Sequence, residues 1–231
     1  RMAELVRGAG TDAFAEILDH GERRMRAALR ELPDGRFVAT DVLDSAGPRP
    51  EQQTPTRIVL EVRVDGETIT FDFTGTDPQR PGNVNAVEAV TVSAVSFAVR
   101  AATDPTLPAN GGTLRPVRVV APPGTVVAAV PPVAVGAGNV EVSQRVADVC
   151  LAALARAQPD RVGAAGQGTM NNVLLGGVVT TSAGPRAWVH YETVGGGQGA
   201  RPWAGGMSGV HTAMTNTLDT PVEALERALP L

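Results

Sequence analysis

The sequence predicts an α+β fold: mixed or antiparallel sheets, three or four packed helices, and glycine-rich loops lining a site. Three features predict it. Residues 56–74 alternate apolar and polar side chains around Asp65-Gly66, the pattern of a β-hairpin. Three other segments, ending near residues 32, 102 and 157, carry apolar residues at helical spacing. Finally, 13 of the 26 glycines fall between Gly163 and Gly209, among Asn, Gln, Glu and His. Glycine this dense in an ordered chain marks positive φ or backbone passing close to something else.

Composition narrows the possibilities. Apolar residues make up 43% of 231, but only eight are aromatic, so the core is built from Val, Ala and Leu. A net charge of −4 gives no reason to expect nucleic acid or an anionic membrane surface as partner. The single cysteine, Cys150, excludes an internal disulfide framework and fits a reducing cytoplasm. No apolar run reaches the roughly 18 residues of a membrane span, so a cytoplasmic location is expected. All 20 basic residues are arginine. The absence of lysine excludes a P-loop and any Schiff-base chemistry, pyridoxal phosphate included.

Along the chain, Thr11 or Asp12 can cap a helix to about residue 32, with Phe14, Ile17, Leu18, Met25 and Leu29 on one broad face. Arg23, Arg24, Arg26 and Arg30 cover its other faces, and Pro33-Asp34-Gly35 ends it. A strand at 36–43 leads through a proline-rich loop to the hairpin. A type I′ turn at Asp65-Gly66 would pair Val64 with Glu67, Val62 with Ile69, Leu60 with Phe71 and Ile58 with Phe73. That register puts Ile58, Leu60, Val62, Val64, Ile69, Phe71 and Phe73 on one face.

The polar loop 74–85 feeds a helix over 84–102, which Asn83 or Asn85 can cap. The same loop could instead offer its amides to an anionic or carbonyl ligand. Residues 114–120 and 125–130 read as strands around Pro122-Pro123-Gly124. A connector at 131–138 enters a helix running to 157, with Val142, Val146, Val149, Cys150, Ala153 and Leu154 inward. Glu141, Gln144, Arg145 and Asp148 occupy its first turns. Glu141 and Arg145 have the spacing of a surface ion pair, and this helix start is also a place to present polar groups to a ligand. Cys150 lies on the apolar face, as an inert core thiol would.

Residues 173–180 and 188–194 read as two more strands, with His190 and Glu192 on one face and Tyr191 on the other. Thr220-Pro221-Val222-Glu223 combines a capping box with proline at the first helical position. The reading is of one continuous domain truncated at both ends, with a helix and the start of the hairpin region in 1–70 and the core in 71–231.

Of the metal-ligand types only His190, Glu192 and His211 could combine, and the first two supply at most a pair, so no metal site is expected within the chain. Gly206-Met207-Ser208-Gly209-Val210 lacks the last glycine of a nucleophile elbow. A dinucleotide fingerprint does not occur. What remains is a polar pocket of side-chain amides with Glu192 and His211, in which the backbone N–H groups of GGGQG could hold a carbonyl or oxyanion.

The order of six stretches resembles the hydantoinase B/oxoprolinase family. They read FDFTGTDPQRPGNVNA, GGTLRPVRVVAPPGT, VGAGNVEVSQRVADV, GQGTMNNVLLGG, HYETVGGGQGARP and SGVHTAMTNTLDTPVEALE, together spanning about 71–226. The resemblance implies part of a B-type subunit of an ATP-dependent enzyme that opens a cyclic amide or imide, such as 5-oxoproline or a hydantoin. A related branch carboxylates ketones, and a non-catalytic assembly role is the alternative for the chain alone. It further implies a hydantoinase A-like partner that binds ATP and Mg²⁺. The other half of the B-type subunit would precede this chain and hold a divalent metal, and no cofactor would be bound by this chain itself. By the same resemblance Glu192, His211, Asn171 and Asn172 are catalytic candidates. Asn139, Glu141, Gln144, Arg145 and Asn216 are candidates for binding the small cyclic amide, joined by Gly196 and Gly197 through the GGGQG backbone amides noted above. His190 is not carried over, because family members commonly have an aromatic residue there.

Overall fold

The computed structural model describes residues 2–47, 49–221, 223, 224 and 227, with side chains described from Asp12 onward. The helix expected from Thr220 lies largely outside these residues. The element order is α1 (Met2–Leu29), β1 (Gly35–Leu43), β2 (Thr56–Asp65), β3 (Thr68–Asp72), α2 (Glu88–Ala102), β4 (Val117–Val120), α3 (Ser143–Ala157), β5 (Asn171–Thr181) and β6 (Gly184–Val194). Strands β1 to β4 form one sheet in that order, antiparallel except for the parallel β3–β4 pair. Helices α2 and α3 pack together, and α3 lies across β1 and β2. This is the mixed α+β architecture expected. Among the described residues no helix is long and apolar enough to cross a membrane.

The hairpin keeps its predicted parity but not its predicted turn. Asp65 pairs with Thr68 and Val64 with Ile69, so the turn residues are Gly66 and Glu67. Gly66 has φ 55, which suits a type II′ turn, where only the first central residue needs φ > 0. A type I′ turn would also have forced Asp65 into that region. Gly66 N–H donates to Asp34 Oδ1 at 2.7 Å, which ties the turn to the connection between α1 and β1. Every partner shifts by two residues, and two is the side-chain period of a strand. All seven predicted apolar residues therefore remain on one face and are buried.

Three other expectations change. Helix α1 begins at Met2, so Thr11 and Asp12 lie inside it rather than at its cap. Met25 and Leu29 are buried, while Phe14 and Ile17 are exposed. Only the last turns of α1 reach the sheet. Farther back the helix rests on the turn Gly111–Leu114, where a Cβ on Gly112 would sit 1.8 Å from Leu18 O. Arg115 fixes that contact through Asp19 at 2.6 Å and Glu22 at 2.9 Å.

Residues 125–130 do not form a strand. Their backbone bonds with the loop before α2 instead: Val126 N–H to Asp77 O, Ala86 N–H to Val126 O, and Ala129 N–H to Ala86 O. Neither Asn83 nor Asn85 caps α2, which starts after Val87 without a side-chain cap. Asn85 is fully buried and organises the loop. Its Oδ1 accepts from Arg80 N–H at 2.6 Å, and its Nδ2 donates to Arg80 O, Gly82 O and Ala134 O, each at 2.9 Å.

Strands β5 and β6 form a separate hairpin with nearly every side chain exposed. His190 and Glu192 share one face, with Nε2 and Oε2 3.6 Å apart. Cys150 is fully buried, and burial pushes its thiol well above the ordinary range, which fits an inert core residue.

Candidate functional site

Helix α3 does not begin as a simple α-helix. Residues Gly138–Val142 form a π-type turn that runs straight into it, a distortion often found at functional sites. Gly138 makes the turn possible: a Cβ there would lie 2.2 Å from Asn85 O and 2.8 Å from the Ala86 Cα. The backbone therefore packs directly on the loop that Asn85 organises. The wide turn also breaks the spacing on which a Glu141–Arg145 pair depends.

Each of those side chains takes another partner. Glu141 Oε1 accepts from Thr169 Oγ1–H at 2.8 Å. Arg145 pairs with Asp41 at 3.1 Å. The sheet register explains why Asp41 is available: it lies opposite Ile58, on the parity of Phe37, Ala39 and Leu43, so its carboxylate points toward α3. Gly168, with φ 72, lets the Arg145 guanidinium lie against the chain, since a Cβ there would be 2.7 Å from Arg145 Cζ.

Glu141 and Arg145 line one cavity of about 450 Å³, together with Ser45, Asn83, Gln167 and Thr169. Asn171 joins its rim through Nδ2, which donates to Gln167 Oε1 at 2.6 Å. Gly196 is close by; a Cβ on it would overlap Gln167 Oε1 at 1.9 Å. The cavity thus combines a guanidinium, the two carboxylates of Glu141 and Asp44, and neutral hydrogen-bonding groups.

The remaining candidates are distributed elsewhere. Asn139 and Asn216 line a second recess with Ser93 and Ser143. Gln144 is buried; its Oε1 accepts from Met214 N–H at 3.2 Å and its Nε2 bonds Thr215 Oγ1, tying α3 to that turn. Asn172 donates to Met170 O at 2.8 Å and accepts from Tyr191 O–H at 2.6 Å on the β5–β6 hairpin. Glu192 accepts from Thr220 N–H at 3.4 Å. The His211 imidazole is nearly enclosed. Its Nε2 lies 3.0 Å from Asp219 Oδ1, but neither ring nitrogen makes a hydrogen bond of acceptable geometry among the described residues.

The glycine-run amides are engaged differently from the expectation. Gly197 N–H donates to Val210 O at 3.0 Å and Gln198 N–H to Met207 O at 2.8 Å. These donors join two stretches of loop, so the pair does not form an open oxyanion hole. Close packing of the same stretches also explains the glycines, since a Cβ on Gly206 would fall 1.7 Å from Gln198 O.

Two acidic residues that were not among the candidate site residues interact with Arg145. Asp41 interrupts the apolar parity of β1, and that break was the available signal. Asp148 lies on the buried stripe of α3 and is 8% exposed. Desolvation pushes its pKa up to about 6, with Arg145 opposing and Asp41 reinforcing the shift. Among the described residues no three His, Cys, Asp or Glu side chains assemble into a metal-binding group.

The family model for hydantoinase B/oxoprolinase matches residues 1–231. The chain belongs to the hydantoinase B/oxoprolinase family. It is 40% identical to 5-oxoprolinase 1 of Arabidopsis thaliana over 172 residues, covering 74% of this chain and 12% of that protein. It is 31% identical to a putative D-/L-hydantoinase B-type subunit of a Pseudomonas species over 243 residues, covering 100% of this chain and 40% of that protein. Among solved structures it superposes on the ATP-dependent caprolactamase of Pseudomonas jessenii with a TM-score of 0.79 at 25% identity, covering 99% of this chain and 40% of that one. Acetone carboxylase shares the fold, with a TM-score of 0.80 at 19% identity, covering 99% of this chain and 33% of that one. The chain thus spans two fifths or less of the length of these relatives.

Proposed function

We propose that this chain forms part of the B-type subunit of an ATP-dependent cyclic amide hydrolase, opening 5-oxoproline, a hydantoin or a related ring. The observation that carries this reading is that Arg145 and Glu141, each held by its own partner, line one cavity in a chain of this family. A ring amide is held cis, so its C=O acceptor and N–H donor sit on the same edge. Arg145 supplies N–H donors to the carbonyl oxygen and holds charge that develops on it. Glu141 accepts the ring N–H, and Thr169 orients the carboxylate through its hydroxyl. Asp41 in turn fixes Arg145, so the guanidinium is positioned before substrate arrives. A hydantoinase A-like subunit would bind ATP and Mg²⁺ and activate the carbonyl oxygen. Another part of the B-type subunit would contribute a divalent metal.

The test is co-expression of the B-type subunit carrying this chain with an A-type subunit, followed by ATP-dependent turnover of 5-oxoproline, hydantoin and caprolactam. Turnover of one of these, lowered by roughly 100-fold or more in Arg145→Ala and sharply in Glu141→Gln, is the expected result. No turnover across the panel, with carboxylation of acetone or acetophenone instead, would overturn it.

A further inference from the structure

Farther along α3 a second cavity of about 430 Å³ opens between α2, α3 and the glycine-rich loops. None of the proposed substrate contacts lines it. Its floor is apolar, with Phe97 from α2 and Leu151 from α3. Asp148 also lines it. Asp148 is more than nine-tenths buried, and its Oδ2 has no hydrogen-bond partner among the described residues. Asp148 is the one acidic side chain among the lining residues, and a carboxylate held at an otherwise largely apolar wall suits a cationic or N–H-bearing group. Arg161 and Arg201 line the same cavity. Arg201 packs along the backbone at Gly163, where a Cβ would be 3.3 Å from Arg201 Cγ. One cavity therefore carries a buried negative group, two positive groups and an apolar floor, at a volume suited to a molecule of amino-acid size.

We infer that this second cavity binds the zwitterionic amino acid formed by lactam hydrolysis, with its ammonium at Asp148, its carboxylate at Arg161 and Arg201, and its methylenes on Phe97 and Leu151. The inference rests on the proposed hydrolase function and narrows it. Hydrolysis breaks the C(O)–N bond, puts the water oxygen on the acyl carbon and moves both water protons. One completes the ammonium on nitrogen together with the proton that the new carboxylic acid releases. A lactam thus yields a carboxylate and an ammonium in one molecule. A hydantoin opens to a neutral ureido group, and a carboxylated ketone has no nitrogen at all, so neither product offers a cation to Asp148. The cavity selects the lactam branch.

Isothermal titration calorimetry of the B-type subunit at pH 7.5 tests this, with L-glutamate and 6-aminohexanoate as ligands and hexanoate and hexylamine as single-charge controls. At least one zwitterion should bind about tenfold or more tightly than either control, the ratio expected from one charge-assisted hydrogen bond. Asp148→Asn should lower that affinity about tenfold while leaving hexanoate unchanged. Arg201→Gln, which keeps the stem at an exposed position, should weaken binding of both the zwitterion and hexanoate. Equal affinities for zwitterions and controls, no binding, or no effect of either substitution would overturn the inference. The underlying function is tested separately by ATP-dependent turnover. Lactam turnover without zwitterion binding removes this site and leaves the hydrolase. Zwitterion binding without turnover of any cyclic amide leaves the site and removes the hydrolase.

Discussion

Asp148→Asn should change how stability depends on pH, and the sign can be worked from the structure. The carboxyl has a pKa of about 6 in the folded chain against 3.8 for the ordinary group. A folded-state pKa raised above the unfolded value means that the folded protein binds this proton more tightly. Stability from this group is fully present below pH 3.8 and is lost as pH rises through about 6. Across that window the loss runs at about 1.4 kcal/mol per pH unit and totals about 3 kcal/mol. Asparagine keeps the shape but does not titrate. Its own buried amide adds a constant offset, so the informative quantity is the change in the stability difference with pH. Urea denaturation of both proteins at pH 4, 5, 6 and 7.5 should show wild type losing about 2.4 kcal/mol relative to the variant over that range, the rest being lost already at pH 4. Parallel stability curves would show that Asp148 is not held in an environment that opposes its charge, and the argument from its burial would fail.

Three further outcomes follow from packing. Arg145→Ala leaves Asp41 on the core-facing parity of β1 without its cation and should cost about 1–3 kcal/mol in urea denaturation. Adding Asp41→Asn should restore part of that loss, with non-additivity in a double-mutant cycle as the readout. Gly168→Ala should cost more than Gly209→Ala: the two glycines have similar positive φ, 72 and 67, but only at Gly168 does a Cβ meet Arg145, whereas nothing lies within 4 Å at Gly209. The shared backbone strain is worth roughly 1–2 kcal/mol, so a larger Tm loss at Gly168 isolates the guanidinium contact. Asn85→Ala removes the four hydrogen bonds of a fully buried side-chain amide and should destabilise by about 3 kcal/mol or more, again measured by urea denaturation.

How much of this was legible depended on the range of the interaction. The apolar parity of β2 and β3 and the inward face of α3 follow from local periodicity, and both are realised in the buried residues. The hairpin turn moved without disturbing that parity. The site depends on contacts that periodicity cannot express. Asp41 and Arg145 are separated by 104 positions, and their meeting requires the strand register and the placement of α3 together. The π-type turn depends on Gly138 packing against Asn85 and Ala86, so helical spacing alone suggested a Glu141–Arg145 pair that the structure replaces. Backbone amides in a glycine run are harder still, because composition does not reveal whether their acceptor is a ligand or another loop.

That last ambiguity bears on what the glycines do. Gly168 gives room to Arg145, Gly196 to Gln167, and Gly163 to the stem of Arg201. In each case the missing Cβ lets a polar side chain lie against the backbone at the wall of a cavity. The donors at Gly197 and Gln198 meanwhile hold one loop to another. The glycine run therefore acts chiefly as a thin wall fitted around side chains, several of which come from α3 and the turn preceding it. The hydrogen-bonding chemistry is displayed from α3 and that turn by Glu141, Arg145 and Asp148. Substituting a wall glycine should thus act by displacing its neighbouring side chain rather than by deleting an amide donor. If Gly168→Ala and Arg145→Ala lower turnover through the same contact, their combination should be no worse than Arg145→Ala alone. Fully multiplicative losses would instead assign Gly168 a role independent of Arg145.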